Sequence, residues 1–176
     1  READETDGEP DWIKPLRQTG DVVVMLDARG IGNTRWTVKN PPNYVERAHV
    51  LVGQTTDSGR VRDVAAAAAY LRTTAGSGFS IPVHVAGRGA AGVIAAYAAL
   101  LAPEVIAEAT LIDPPTSHGD KQAPQFLSIQ QIGDVPELLG LLAPRPLTII
   151  GSAGAHFDAT GQAYQSAGAS ERFRRQ

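Results

Sequence analysis

Cysteine is absent from the 176 residues of this chain. That excludes disulfides, thiolate metal sites and a cysteine nucleophile together, although it fixes no compartment. A strong excess of either charge is also lacking: 16 Lys and Arg stand against 19 Asp and Glu, a net charge of −3. Such a balance gives no reason to expect nucleic acid or an acidic membrane surface as partner. No apolar run approaches the ~20 residues that cross a bilayer. The stretch from Gly78 to Gly92 is apolar but too short and too rich in glycine. Four histidines are present, His49, His84, His118 and His156, and no two stand four apart as in a helical zinc site. No metal and no cofactor are therefore expected.

What is there fits one globular α/β domain over residues 1–176, or the C-terminal part of one: 43% of residues are hydrophobic and 20% charged. Beginning at Arg1 without methionine, the chain reads as a mature form, a processed product or a piece of a longer one. Residues 1–20 read as a short helix or an irregular lead-in. Asp21-Val22-Val23-Val24-Met25-Leu26-Asp27 predicts a first strand, buried on both faces as in a parallel sheet. Ile31 to Asn43, with two glycine or asparagine turns and Pro41-Pro42, predicts a loop. Arg60 to Thr73, with alanines from 65 to 69, predicts a helix that sits close on a sheet, ended by Ala75-Gly76-Ser77-Gly78.

The pattern then repeats. Ile81 to Ala86 predicts a second strand, Ala90 to Leu101 a second helix, and Ile106 to Ile112 a third strand ended by Asp113-Pro114-Pro115. One or two short helices follow within Phe126 to Leu142. Pro146 to Ile150 is a fourth strand, Ala159 to Ala167 a last helix, and Glu171 to Gln176 a charged tail. Alternation of this kind predicts a mostly parallel sheet with helices on both faces, a Rossmann-like three-layer sandwich.

Chemistry concentrates at Val83-His84-Val85-Ala86-Gly87-Arg88-Gly89-Ala90-Ala91-Gly92, where a strand meets a helix through glycines. Two sites use that geometry. Gly87, Gly89 and Gly92 match G-x-G-x-x-G, which would bring pyrophosphate to a helix N-terminus, with Asp113 near the place of an acidic ribose partner. The same glycines suit a nucleophile elbow, G-x-S-x-G. Aligned on Gly87, this puts Arg88 at the nucleophile position, Gly89 at an oxyanion-hole N–H and Ala90 at the final glycine. Guanidinium stays protonated and cannot attack a carbonyl. A bare packing turn is the remaining reading of the glycines.

Residues 20 to about 170 resemble the C-terminal half of the acetyl-xylan-esterase-like and prolyl-oligopeptidase-like α/β-hydrolases, especially long bacterial proteins of that group. Gly20 to Val24 with Asp27-Ala28-Arg29-Gly30-Ile31-Gly32 is similar to the strand and D-x-R-G-x-G loop before the nucleophile helix. Gly59-Arg60-Val61-Arg62-Asp63 with Tyr70-Leu71-Arg72 resembles the next helix. Ala143-Pro144-Arg145-Pro146-Leu147 resembles the approach to the strand that bears the triad acid. The resemblance implies an α/β-hydrolase fold and carbohydrate ester hydrolysis, and a secreted or periplasmic setting. It implies Arg88 in place of the serine and Asp158 as the nearest acid. The triad histidine would lie beyond one further strand, past Gln176, and the early strands before residue 20.

Other candidates are loop residues at the carboxyl ends of strands, where open α/β sheets bind ligands. His118, next to Ser117, is one; a dyad there depends on geometry, not adjacency. His156 and Asp158 are others. Arg29, Arg88 and Asp113 are expected to form a buried charge cluster. Such a cluster either plugs a vanished active site or binds an anion such as a uronate or phosphate. His84 reads as a sheet histidine, and Arg172, Arg174 and Arg175 as a solvated tail. Three functions follow. One is an inactive hydrolase-like module that packs against other domains, other chains or a second copy. Another is an esterase completed by residues outside the chain, and the last is a nucleotide-binding domain.

Overall fold

The computed structural model describes residues 10–39, 41–74, 82–151 and 154–176. Its centre is a four-stranded, all-parallel sheet in the order β1-β2-β3-β4, made of Val83–Arg88, Ile106–Ile112, Leu147–Ile150 and Phe173–Arg175. Between strands the chain forms α3 (Ala90–Leu101), α4 (Val135–Gly140) and α5 (Asp158–Ser166); α1 (Pro42–Leu51) and α2 (Thr56–Thr74) precede β1. This is the α/β arrangement that the alternation of apolar runs predicts.

Register decides which side chains meet the helices. Val85, Ala109, Leu147 and Phe173 are successive partners across the sheet, as are Gly87, Leu111 and Ile149. They pack with Val93, Ala96 and Tyr97 of α3 and with Val61 and Ala68 of α2 in the core. Ala86, Thr110, Thr148 and Arg174 alternate with them and are half-buried or exposed. Every α3 residue from Gly92 to Ala99 is buried, as suits a helix apolar all round and lying between sheet and α2.

Side-chain hydrogen bonds fix the helix ends. Ser58 N–H donates to Thr55 Oγ1 and Thr55 N–H to Ser58 Oγ, both at 3.0 Å. This reciprocal cap starts α2 four residues before the Arg60 that propensity suggests. Asp134 accepts from Val135 N–H at 2.9 Å, and Glu137 reaches back to Asp134 N–H at 3.2 Å, which starts α4. Arg145, in the Ala143–Leu147 motif, donates to the carbonyls of Ala99 at 2.5 Å and Ile106 at 3.3 Å. It thereby ties the end of α3 to the start of β2. Its own carbonyl accepts from the buried Tyr164 hydroxyl at 2.6 Å. Burial pushes that phenol up to about 12.

Three expectations are corrected. The run from Asp21 to Asp27 forms no strand; Val22 is 87% exposed and Met25 58%. Among the described residues it has no neighbouring strand to take its N–H and C=O groups, so its apolar side chains stay outside. The loop expected through Asn43 ends at Pro42, where proline at the first helical turn opens α1. The charged tail is not merely solvated. Phe173–Arg175 pairs in parallel with β3, with Phe173 turned to the core and Arg174 and Arg175 exposed. The Ala75–Gly78 helix stop and Ile81 lie outside the described residues. Among the described residues no helix is long and apolar enough to cross a membrane.

Candidate functional site

The junction of β1 and α3 is built on two glycine constraints. A Cβ on Gly87 would lie 2.5 Å from the carbonyl group of Ala91, and one on Gly92 2.8 Å from the Gly87 oxygen. Only glycines let the strand end and the helix come this close. Gly89 makes the corner itself, with φ 59° and ψ −130°, a conformation that L side chains rarely adopt. Its N–H donates to the Ile112 carbonyl at 2.8 Å, which holds the corner against the end of β2.

The residue expected at the nucleophile position of the elbow pattern, Arg88, does not stand at the corner. Arg88 is still in the strand, paired with Ile112. An elbow nucleophile must stand at the positive-φ corner between strand and helix. That residue is Gly89, the third position of the pattern counted from Gly87. A Cβ there would meet nothing within 4 Å. Packing and turn geometry account for Gly87, Gly89 and Gly92 without a pyrophosphate.

Arg88 reaches across the corner to Asp113, its Nε and Nη2 each 3.0 Å from Asp113 Oδ2. Asp113 follows β2 with φ 46°, and its N–H donates to the Ile150 carbonyl at 2.8 Å. The side chains are 62% and 49% exposed, so this is a surface pair worth about 0–1 kcal/mol. The expected buried cluster of Arg29, Arg88 and Asp113 therefore does not form. Arg29 goes elsewhere, because a closer carboxylate faces it from α2. Its Nε and Nη2 bind the two oxygens of Asp63 at 2.9 and 2.6 Å, and its N–H adds a third bond at 3.0 Å. The hydrogen bond from Arg29 holds the Asp63 carboxyl below its ordinary value, against the effect of burial. Asp27, in the same loop, accepts from the N–H and the Nδ2 of Asn33 at 2.9 and 3.0 Å. The D-x-R-G-x-G segment is thus a self-bonded loop clipped onto α2.

Ser117 and His118 are brought together but not to each other. Ser117 Oγ donates to Asp134 Oδ2 and His118 N–H to Asp134 Oδ1, both at 2.6 Å. Burial of Asp134 acts to raise its pKa, but the bonds from Ser117, His118 and Val135 outweigh it and hold the carboxyl low. His118 Nε2 is 2.7 Å from the Tyr97 hydroxyl and Nδ1 3.3 Å from the Pro124 carbonyl. A neutral ring that donates from Nδ1 to the carbonyl and accepts at Nε2 from the phenol satisfies both contacts. Burial, then the charges of Asp134 and Glu137, raise the Tyr97 pKa above its ordinary value. Phe126 closes the cluster with its ring edge-on to His118 at 5.7 Å. The hydroxyl and the imidazole are both committed to fastening the loop, so they form no dyad.

Asp158 opens α5 and binds Arg175 Nη1 at 3.0 Å. Arg175 belongs to β4 and Arg88 to β1, the two outer strands. Three strand spacings, about 14 Å, separate them, so Asp158 is not gathered to the Gly89 corner. His84 faces Glu108 across the sheet at 3.6 Å, and His156 is exposed. Among the described residues no group of three or more His, Asp or Glu could hold a metal ion. Asp63, Tyr97 and Asp134 were not legible as partners in the sequence. Only Asp134-Val135-Pro136-Glu137 carried a signal, as a helix cap. Comparison with protein-family models, with curated proteins and with solved structures finds no match.

Proposed function

We propose that this chain is a hydrolase-like α/β scaffold, related in plan to carbohydrate esterases, without serine-esterase chemistry of its own. Its role is to pack against other parts of a larger protein or against a second copy. The observation that carries the reading is the Gly89 corner. The residue at the nucleophile position has no side chain, and its neighbour Arg88 is a cation tied to Asp113. Ser117 and His118 supply no substitute, because each is hydrogen-bonded into the loop. The scaffold role is supported by the run from Val22 to Leu26, which pairs with no strand among the described residues and exposes apolar side chains that invite a partner.

A second reading, an esterase completed by residues from outside the chain, is favoured by one observation: the space above Gly89 is open to a side chain. Hydrolysis of p-nitrophenyl acetate by the chain, beside its Gly89→Ser and Arg88→Ser variants, decides between them. The scaffold reading expects no turnover above buffer from the parent or from Arg88→Ser. Turnover gained only by Gly89→Ser would show that the rest of a site persists and would move the balance to the second reading. Turnover by the parent that disappears in His118→Ala would overturn the first.

A further inference from the structure

The strands follow one another across the sheet in a single direction, from β1 to β4. Right-handed crossovers therefore set α3, α4 and α5 on one face, and α2 packs beside α3 on that face. The opposite face carries His84 and Glu108, then the row Ala86, Thr110, Thr148 and Arg174. None of these six belongs to the core cluster, Ala86 and Arg174 are exposed, and neither α2 nor any later helix lies over them. Strands of a parallel sheet are ordinarily buried on both faces. Ala86, Thr110 and Thr148 thus form an open floor of small side chains. Glu108 stands at its margin, a half-buried carboxylate whose described partner is His84 at 3.6 Å.

α1 has the complementary defect. It is a ten-residue helix in which no residue is buried. Its inner side rests on α2, with His49 Nδ1 3.3 Å from Thr56 Oγ1. Tyr44, Arg47, Ala48 and Leu51 stand at i, i+3, i+4 and i+7 and so form one stripe. All four are exposed, Tyr44 by 65% and Leu51 by 87%. Arg47 bonds to no described residue. Held on α2, the helix lies against the helical layer and leaves its own sheet floor open. Stripe and floor fit in three respects. The large Tyr44 and Leu51 side chains suit the small Ala86, Thr110 and Thr148, an alternation that lets layers interlock. The Arg47 guanidinium supplies a strong partner for the Glu108 carboxylate. A helix of this length extends about 15 Å, and four strands span about 14 Å. We infer that the open sheet face is covered by α1 of a second copy, in a two-fold dimer that makes the contact twice. The repetition doubles the area, toward the roughly 800 Å² per partner of a standard interface. This rests on the scaffold reading and specifies its partner and its surface.

Sedimentation equilibrium of the full chain at micromolar concentration, beside the p-nitrophenyl acetate assay, tests the pairing. The parent should form a dimer, and Leu51→Asp should leave a monomer. Arg47→Glu and Glu108→Arg should each weaken association at least about tenfold, and the two reversals combined should restore most of it. Thermal melting checks that each variant folds, as expected for changes at exposed or half-buried positions. The inference is overturned by a parent that stays monomeric, by single variants that all keep the dimer, or by a double reversal that restores nothing. It is overturned equally by a dimer lost only in Val24→Asp, which would place the contact on the run from Val22 to Leu26. A monomeric parent without turnover would leave the inactive scaffold standing. Turnover by a dimeric parent would strike that reading while the pairing stood.

Discussion

The run Val22-Val23-Val24-Met25-Leu26 and the strand Ile106–Ile112 are both rich in β-prone apolar residues, and each ends at an aspartate, Asp27 or Asp113. Their surroundings differ. β2 has β1 on one side and β3 on the other, with α3 across its face; Ile106, Ala109 and Leu111 are at most 1% exposed. Among the described residues no main-chain hydrogen bond outside the regular elements involves the first run, and Val24 is 54% exposed. Burial is thus conferred by neighbours that satisfy the backbone, and composition only permits it. The largest expected effect follows from that contrast. Leu111→Ala should cost about 2–5 kcal/mol through lost transfer energy and a cavity, whereas Val24→Ala should stay within about 0.5 kcal/mol. Chemical denaturation of both variants measures it, and a cost above about 1 kcal/mol at Val24 would break the comparison.

The clip that fastens the loop after the first run to α2 is the next most sensitive place. Arg29 and Asp63 form a forked, partly exposed pair that fastens the Asp27–Trp36 loop to α2. Asp63→Asn should weaken that attachment by about 1–2 kcal/mol. The pH dependence has a definite sign. The Asp63 pKa is depressed in the folded state, so its contribution is fully present above the ordinary carboxylate range. It is lost as pH falls through the lowered value. Hydrogen exchange should show the loop amides losing protection in acid before those of β2, and Asp63→Asn should show that loss already at neutral pH. Simultaneous loss of protection in both regions would mean that they unfold as one unit.

The elements legible in the sequence were those whose own residues settle their state. Ile106–Ile112 and Ala90–Leu101 occur at the bounds that their apolar patterns predict, since a buried strand and an all-round apolar helix need no distant cue. The start of α2 at Thr56 was readable from Thr55 and Ser58, but alanine propensity draws attention downstream. Two features were not readable. β4 has three residues, two of them arginine, and is a strand only because β3 offers its edge. Asp21–Asp27 has every local mark of a strand and, among the described residues, lacks the partner. At the site, Arg88 and Asp113 could be placed together because each ends a strand. Asp63 lies 34 residues beyond Arg29 and Asp134 17 beyond Ser117, and only the fold selects those carboxylates.

The Gly89 corner draws the comparison down to adjacent residues. Gly87 belongs to the packed region, with its neighbours' backbone where a Cβ would go. Arg88 belongs to the surface, and its guanidinium and the Asp113 carboxylate both face water. A small effect is accordingly expected from Arg88→Ala, which removes a hydrated pair and should change stability by at most about 1 kcal/mol, less at high salt. Thermal melting at low and high ionic strength measures it. A loss well above that limit, insensitive to salt, would mean that the pair restrains Asp113 at its positive φ. Arg88 would then be part of the corner's architecture. A negligible loss leaves the corner to its glycines and the Gly89–Ile112 hydrogen bond, and position 88 free to vary without disturbing the scaffold.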